Sequence, residues 1–534
     1  MGRLCDATTR VPWLVFSVVF GFISLGFNNC SEPYRAKSLG NSSPSSMQVL
    51  GLKTVHDLTF YTRLTKGEYR YVVRDLLDGM GSGPIGDLDG VIGGFAENLY
   101  EGSYKNHTLV NTYPNIEKDQ FELARKLAGY FVSSNLFKRL CSSPGSCADS
   151  FVQDLLPRLW KKTLNAQEQE ELKTFYNSYA SADRDFYFLF RVFASPYFHY
   201  KIFNAKEKDP LQRSFKIGNL LSYYITGSYP DDELQADIDS GKIVEEQVIR
   251  NHVERLLQAH PVRFAEMFVL QWLNVSTLMS TSTKYKNVAV PDVMLEPALI
   301  FAQLMGDGDY ISSFLELKYN VVNPGLAGLY GISGITSGWT RGQGTKTLFG
   351  TAYMSYLTSD HENDNPNPIR RGSYVVNHLL CKDIQFPTSA IQEKVDEVVN
   401  NAPMDLSPPA RMAYFRGFPV CASCHNQFDH HGLALEEIGV LGATRTKYYT
   451  GHDVVATGRV DDIQYNNSLE FVGKLARSEA FSTCFASQVY NYITSSPYTQ
   501  GFNAIEKSDV KQVIAGRSIG QVVAEMVVRG LGGI

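Results

Sequence analysis

Residues 65–77 of the chain read TKGEYRYVVRDLL. Thr65 and, three residues later, Glu68 form the pattern of a capping box, in which each side chain accepts a hydrogen bond from the other residue's backbone N–H. The apolar side chains then recur three and four positions apart, at Tyr69, Val72, Val73, Leu76 and Leu77. Because that spacing places them on one face of an α-helix, the stretch predicts an amphipathic helix with a buried apolar face.

The same helical spacing recurs along most of the chain. Further apolar stripes of this kind occupy residues 117–139, 151–178, 184–203, 213–226, 244–274 and 296–318. No convincing run of alternating polar and apolar residues indicates a β-strand. The sequence therefore predicts a mainly α fold, with a large multi-helix region followed by a C-terminal helical module.

The 534 residues include 50 basic and 55 acidic side chains, for a net charge of −5. So small a charge creates no field that would draw the protein to nucleic acid, and we expect no nucleic-acid partner. Breaks rich in glycine and proline occur at residues 79–94, 322–347 and 363–372. They predict a helical region over 51–350, with room for two subdomains, and a C-terminal module over 358–534.

The N-terminus has the charge and apolar order of a secretory signal, because two arginines precede an apolar run over residues 11–27. Cys30 follows, and a polar tether occupies residues 31–50. This layout resembles a bacterial lipoprotein signal over residues 1–30, with Cys30 as the lipidated residue, although Asn29 stands where such signals carry a small residue. An uncleaved anchor and an ordinary signal peptide are the alternatives. We expect a periplasmic or outer-membrane lipoprotein of a Gram-negative bacterium, attached to the membrane through its lipid.

The sequence VCASCHNQ contains the motif C-x-x-C-H, formed by Cys421, Cys424 and His425. This spacing sets two thiols against the two vinyl groups of haem and offers an imidazole to the iron, so it predicts one covalently bound haem c. A thioredoxin-like redox pair would need a surrounding βαβ pattern, which the sequence lacks. A zinc site would need two further ligands, which His430 and His431 could supply.

The C-terminal module places helices on both sides of this motif. It crosses a polar linker that ends in SPP at residues 407–409 and enters a short helix, ARMAYFRG, directly before the motif. A second helical stripe runs later, through residues 469–493. Small cytochromes place one helix before the attachment site and another after it, and these helices close around the porphyrin, so the order here suggests the same arrangement. Core packing in an ordinary domain is the alternative explanation of the later stripe.

Four other cysteines can form two disulfides in an oxidising compartment. Cys141 and Cys147 flank SSPGS, a turn-rich loop that can bring them together. Cys381 and Cys484 then pair by elimination, and the alternative for this second pair is two buried thiols that pack as small apolar side chains.

The sixth position of the iron would separate an electron carrier from a catalyst. A strong protein ligand fills that position in a carrier, whereas an open position binds peroxide or oxygen. His361 is the first candidate for this distal ligand, because its loop leads into the module. The other candidates are Met412, His452, His430 and His431.

Several segments together resemble a known group of proteins. The capped stretch TKGEYRYVVRDLL looks like L-T-x-x-E-Y-x-x-x-V-R-D-L-L, and YYITGSYPDDEL looks like S-Y-F-L-W-x-S-x-P-D-D-E-L. Similarly, CASCHNQFDHHGLALEEIGVLGATR is similar to C-x-x-C-H-x-x-x-D-P-x-G-x-A-L-E-x-F-D-x-x-G-x-x-R. These motifs, with others over about residues 60–500, resemble the cytochrome-c-like secreted proteins abundant in planctomycetes, which are built from uncharacterised helical domains.

The resemblance implies a cytochrome-c-like C-terminal module, in which Cys421, Cys424 and His425 bind haem. It also marks three motif residues of unassigned role, Asp429, Gly432 and Glu436. This chain has His430 where the family has proline, and an extra Asp360 before His361. The family implies no established reaction.

Three functions follow from these observations as hypotheses. The first is an electron-transfer cytochrome of the cell envelope, with a redox protein or a small-molecule electron donor or acceptor as its partner. The second is a haem-dependent oxidoreductase of peroxidase or oxygenase type, in which Arg370 or Arg371 would polarise bound peroxide. The third is an envelope scaffold with a structural haem. No Ser-His-Asp order, phosphate loop or paired-carboxylate motif supports a hydrolase.

Overall fold

The computed structural model describes residues 60–78, 82–95, 104, 116–139, 147–180, 183–203, 209–275, 288–360, 365–382, 384, 389–403, 405–455, 457–494, 510 and 513–532. The expected signal peptide, tether and lipidated Cys30 lie outside these ranges, as do Cys141 and His361. Within the described ranges, no helix combines the length and apolar character that crossing a membrane requires.

The fold is mainly α, as the helical spacing predicts. The N-terminal part begins with strand β1 (Phe60–Arg63), which pairs antiparallel with β2 (Tyr200–Phe203). Between these strands lie the helices α1 (Lys66–Leu76), α2 (Ser82–Gly94), α3 (Ile116–Ser133), α4 (Leu136–Arg139), α5 (Cys147–Ser150), α6 (Leu156–Trp160), α7 (Ala166–Asn177), α8 (Arg184–Phe193) and α9 (Pro196–His199), with a π-helical turn at Phe151–Leu155.

Helix α1 has the start and the buried face that its sequence predicts. Thr65 is the N-cap residue: its hydroxyl accepts from the backbone N–H of Glu68 at 3.2 Å, and the Glu68 carboxylate accepts from the N–H of Thr65 at 2.7 Å. The capping box is therefore confirmed. The five apolar side chains of the predicted stripe are all buried.

A middle series of helices follows. It comprises α10 (Pro210–Thr226), α11 (Asp232–Asp239), α12 (Glu246–Ala259), α13 (Pro261–Trp272), α14 (Val290–Gly306), α15 (Ser312–Leu315), α16 (Pro324–Leu329) and α17 (Ala352–Thr358). Short 3₁₀ turns lie at Lys242–Val244 and Leu348–Gly350. Strands β3 (Asn320–Val322) and β4 (Thr340–Gly342) form an antiparallel pair, and β5 (Ser359–Asp360) pairs with β6 (Asn365–Pro366).

The C-terminal part carries the helices α18 (Pro368–Tyr374), α19 (Ser389–Asn400), α20 (Pro408–Arg416), α21 (Pro419–Leu433), α22 (Ser468–Ala476), α23 (Glu479–Thr494) and α24 (Ile519–Gly532). A π-helical turn at Val375–Leu379 extends α18, and a 3₁₀ turn lies at Val440–Gly442. Strands β7 (Gly458–Val460) and β8 (Ile463–Tyr465) pair antiparallel.

Several predicted helices are interrupted, and two predictions were wrong: the break expected at residues 79–94 contains helix α2 (Ser82–Gly94), and one helical stripe ends in a strand. The stripe over 117–139 breaks at Asn135, which has a left-handed φ of 57°, and the stripe over 244–274 breaks at Pro261, which begins α13. Residues 200–203 were predicted to be helical but form strand β2, because they pair with β1. Strands of two to four residues are too short to produce a legible alternation in the sequence.

Two large apolar cores organise the described residues. The N-terminal core contains side chains between positions 64 and 198, with Tyr223, and is rich in aromatic rings. The large core contains side chains from positions 215–357 and also from 374–531. In it, α24 packs against α12 and α23. The large core therefore runs across the boundary near residue 358 at which the sequence analysis begins a separate module.

A disulfide ties the C-terminal part together. The structure joins Cys381 to Cys484, with 5.4 Å between their Cα atoms, and this is the pairing that elimination gave. Cys147 is also disulfide-bonded, while Cys141, its expected partner, lies outside the described residues.

Candidate functional site

Helix α21 carries the whole C-x-x-C-H motif. Pro419 occupies the first turn, where its missing N–H costs no hydrogen bond. Residues three and four positions apart lie on the same face of a helix, so Cys421, Cys424 and His425 share one side of α21. The three side chains are at most 6% exposed.

The shared face opens onto a small pocket. Its lining consists of Val395, Val399, Phe415, Val420, Cys421, Cys424 and His425. Apart from the motif residues this lining is apolar, as is usual in small-molecule and cofactor sites. The three motif side chains therefore share one apolar cavity.

Helix α19 supplies part of this pocket, and the sequence analysis missed it. The segment before residue 407 was predicted to be a polar linker, which is wrong for residues 389–400, because they form α19 and bring Val395 and Val399 to the pocket. The apolar positions are few and stand among charged residues, yet Val395, Val398 and Val399 have the three- and four-residue spacing of a helix face. That spacing is the signal that could have revealed them.

The later helical stripe lies elsewhere. Residues 469–493 form α22 and most of α23, which belong to the large core, where α23 packs against α13 and α24. None of their side chains lines the pocket. The stripe therefore packs in a core, which is the alternative given by the sequence, and it does not close over the motif.

Cys421 and Cys424 are both thiols. Burial raises the pKa of Cys421, and the nearby Cys424 raises it further. Burial also raises the pKa of Cys424. A thioredoxin-like redox pair needs a thiol whose pKa is lowered, so these thiols are poorly suited to disulfide exchange.

The His425 imidazole is held by rings and by a carboxylate. Its centroid lies 5.3 Å from that of Phe415 and 5.1 Å from that of Phe428. Its Nδ1 is 2.8 Å from Oδ1 of Asp429, one turn further along α21. No hydrogen bond to Nε2 occurs within the described part of the chain, so the imidazole has one nitrogen assigned and the other available as a ligand.

Asp429 also receives a cation. Its second oxygen, Oδ2, accepts from Nη1 of Arg416, the last residue of α20. The Asp429 side chain is fully buried, whereas that of Arg416 is 21% exposed. Because each carboxylate oxygen has its own partner, Asp429 fixes the rotation of His425 and links α21 to α20.

Near its C-terminal end, α21 is packed against α18 at very short range. A Cβ atom at Gly432 would overlap the carbonyl oxygen of Pro368, and one at Gly372 would overlap that of Phe428. Both positions therefore require glycine for the two backbones to approach this closely. This contact explains Gly432, a motif residue without a role in the sequence analysis.

Behind this crossing lies a buried charged cluster. Arg371 donates from Nη1 to the carbonyl oxygens of Leu435, at 2.9 Å, and Ile438. Burial raises the pKa of Glu436 to about 7, while Arg445, 3.3 Å from its Oε2, opposes that rise. Burial also lowers the pKa of Arg371 to about 10. Glu436, the third motif residue, therefore belongs to the packing at the C-terminal end of α21.

The two arginines proposed to polarise peroxide do not line the pocket. Arg371 is fully buried among the carbonyl groups of the turn that follows α21. Arg370 donates from Nη1 to the carbonyl oxygen of Ser359 at 3.0 Å. That expectation is wrong, because Arg371 points to the turn after α21 and Arg370 points to strand β5.

None of the described candidates for a distal ligand lines the pocket. Met412 packs in an apolar cluster with Ile369, Val376, Ile384, Phe428 and the motif residue Cys424. His430 and His452 are exposed. His431 is buried near Asp461 at 3.8 Å, and burial lowers its pKa to about 4. Ligation by any of these is not supported by their placement, and His361 lies outside the described residues.

A zinc site at the motif is not supported either. Among the residues that the structure describes, no group of three or more histidine, cysteine, aspartate or glutamate side chains could hold a metal ion. His430 is exposed and His431 faces Asp461, so neither joins the two thiols. Two thiols alone do not complete the four-ligand shell of structural zinc.

Two family models match parts of the chain. Residues 213–332 match PSD4, a protein of unknown function (DUF1592), and residues 348–448 match PSCyt3, a protein of unknown function (DUF1588). Both are domain families of planctomycete cytochrome-c-like proteins, which supports the resemblance seen in the sequence. The second match includes α21. A search of curated proteins and a search of solved structures found no match.

Proposed function

We propose that the protein is an exported c-type cytochrome with one covalently bound haem, which transfers electrons at the cell envelope. Cys421 and Cys424 would hold the haem through thioether bonds, and His425 would bind its iron. The observation that carries this proposal is the pocket into which both thiols and the imidazole face.

The donor set supports haem in three ways. The two residues required for attachment are both thiols, in the C-x-x-C-H order that covalent haem needs. Asp429 occupies Nδ1 of His425, which leaves Nε2 for a metal. The remaining lining is apolar, from Val395, Val399 and Phe415, and suits the flat edge of a porphyrin.

The chemistry of attachment is balanced without an oxidant. Each thiol adds across one vinyl group: a sulfur–carbon bond forms at one carbon, and the thiol hydrogen passes to the other. When bound, the iron exchanges one electron between its ferric and ferrous states. A redox protein or a small one-electron donor and acceptor would supply and remove that electron.

Export would bring the chain to the compartment in which c-type haem is attached. The apolar run at residues 11–27 and the cysteine at position 30 support a lipoprotein signal. In this proposal the lipid on Cys30 holds the protein at the membrane, and residues 31–50 provide the tether.

Expression with a cytochrome c maturation system tests attachment. We expect a pyridine haemochrome spectrum of the thioether type at one haem per chain, and haem that stays with the polypeptide in denaturing gels. C421A/C424A should lose it, and S423A, which alters an exposed residue between the two thiols, should keep it. Colourless wild-type protein from the same cells, or haem that is equally retained by C421A/C424A, would overturn the proposal.

The spectrum and reactivity of the loaded protein test electron transfer against catalysis. A low-spin haem that is reversibly reduced and reacts slowly with peroxide supports the carrier. High-spin iron with rapid turnover of peroxide would instead select the haem oxidoreductase. A haem whose redox state no donor changes, although its loss unfolds the chain, would select the scaffold.

A further inference from the structure

We propose that Asp429 and Arg416 set the reduction potential of the iron through His425, with effects of opposite sign. The inference rests on the proposed function, because it concerns how this chain tunes the haem that His425 would bind. Both residues are positioning residues, since neither faces the pocket.

Hydrogen bonds join His425, Asp429 and Arg416 in that order. His425 Nδ1 lies 2.8 Å from Asp429 Oδ1, and Asp429 Oδ2 pairs with Arg416 Nη1. Asp429 is acceptor-only when ionised, so Nδ1 must carry the hydrogen and Nε2 must present its lone pair. The carboxylate therefore selects the tautomer that can bind a metal.

Asp429 also changes how strongly the imidazole donates electrons. A carboxylate that accepts from the second nitrogen of a ligating histidine raises the basicity of that histidine. A more basic ligand stabilises the ferric state over the ferrous state, and the negative charge acts in the same direction. Because Asp429 is fully buried, water screens this effect little. Asp429 should lower the reduction potential.

Arg416 moderates the same carboxylate. Its guanidinium shares the negative charge of Asp429, which weakens the acceptor at His425 and stabilises the ferrous state. The side chain is partly exposed, so solvent and ions screen its charge more than that of Asp429. Arg416 should raise the potential, by less than Asp429 lowers it.

The test is a redox titration of haem-loaded D429N, R416Q and E397Q. Glu397 is an exposed carboxylate on α19 and is not among the residues that line the pocket, so E397Q controls for the loss of a nearby charge. We expect D429N to shift the ferric–ferrous equilibrium about tenfold toward ferrous, which is about 59 mV for one electron. R416Q should shift it about threefold toward ferric, and E397Q less than either.

Opposite signs distinguish tuning from structural damage. Loosening of the α20–α21 contact would move both variants in the same direction, and shifts of one sign, or shifts no larger than that of E397Q, would overturn the inference. If D429N does not fold, the sign of the R416Q shift decides alone. The pyridine haemochrome of each sample separates the two proposals: wild type without thioether-linked haem defeats the proposed function, whereas loaded variants with unchanged potentials defeat only this inference.

Discussion

The two ends of helix α21 differ in how they are packed. Towards the C-terminal end, Gly432 and Gly372 let the backbones of α21 and α18 touch, and Arg371 and Glu436 are buried behind them. Towards the N-terminal end, the thiols and His425 face an apolar pocket. The packed end leaves no room for a methyl group at Gly432, whereas the open end borders a pocket.

The packed end therefore supports the open end. The glycine contact fixes the rotation of α21 about its axis, because neither backbone can turn without a clash. That rotation also fixes the direction in which the thiols and His425 point further along the same helix. Charges follow the same division: Asp429 has both oxygens bonded, while Arg371, Glu436 and Arg445 each retain a buried polar atom with no hydrogen-bond partner among the described residues.

The largest expected effect on stability comes from adding a side chain at Gly432, where α21 touches α18. Gly432→Val should lower the free energy of unfolding by about 4 kcal/mol or more, because the new Cβ overlaps the carbonyl oxygen of Pro368 and the helices must separate. Urea denaturation measures the loss. Gly129→Ala is the matched control: α3 has open space there, so alanine should be neutral or slightly stabilising. Equal behaviour of the two variants would mean that the contact is not tight.

Removing an aromatic ring that borders the pocket should reduce stability by less. Phe415→Ala should lower the free energy of unfolding by about 3 kcal/mol, at the lower end for a buried ring, because one side of Phe415 faces the pocket. Phe121→Ala, at a ring that is 51% exposed, should cost under about 1 kcal/mol. If Phe415→Ala lowered the free energy of unfolding as much as Gly432→Val, the pocket would be packed as tightly as the contact between α21 and α18.

The buried charged cluster of Arg371, Glu436 and Arg445 should make stability depend on pH. Burial raises the pKa of Glu436 in the folded state to about 7, above its unfolded value of about 4.3, so its contribution is complete below about pH 4 and is lost as pH rises through 7. Between pH 5 and pH 8, E436Q should therefore lose about 2 kcal/mol less than the wild type. Urea midpoints at both values measure this. Glu296, which burial also shifts to about 7, is present in both proteins and cancels.

The smallest effect should come from the motif thiols in protein made without haem. C421A/C424A should change the free energy of unfolding by only about 1 kcal/mol, because both thiols border the pocket. Thermal unfolding of the two haem-free proteins measures the difference. A loss of several kcal/mol would show that the thiols support the fold as well as the proposed attachment.

Local signals in the sequence predicted local structure well. Thr65 and Glu68 form the predicted capping box, because both partners lie within one turn. The stripe that begins at Tyr69 is buried as its spacing requires. The motif side chains share a face for the same reason, since three- and four-residue spacing fixes direction on a helix.

Contacts between distant segments could not be predicted from local patterns in the sequence. Arg371 was expected near bound peroxide, but the turn after α21, more than 60 residues away, supplies the carbonyl groups that bind it. Val395 and Val399 stood in an apparent linker, because apolar positions are a minority in α19 and stand among charged residues. The large core joins positions 215–357 to 374–531, and no pattern within either segment announces that partner.

The sequence alone determined the helical class, the capped start of α1 and the three residues whose spacing predicts haem attachment. Tertiary structure decided which end of α21 is packed against α18, that Asp429 and Arg416 stand behind His425, and that α19 completes the pocket. The reason is physical: helical periodicity fixes the direction of side chains over a few residues, whereas burial and close approach depend on what the rest of the chain brings to each face.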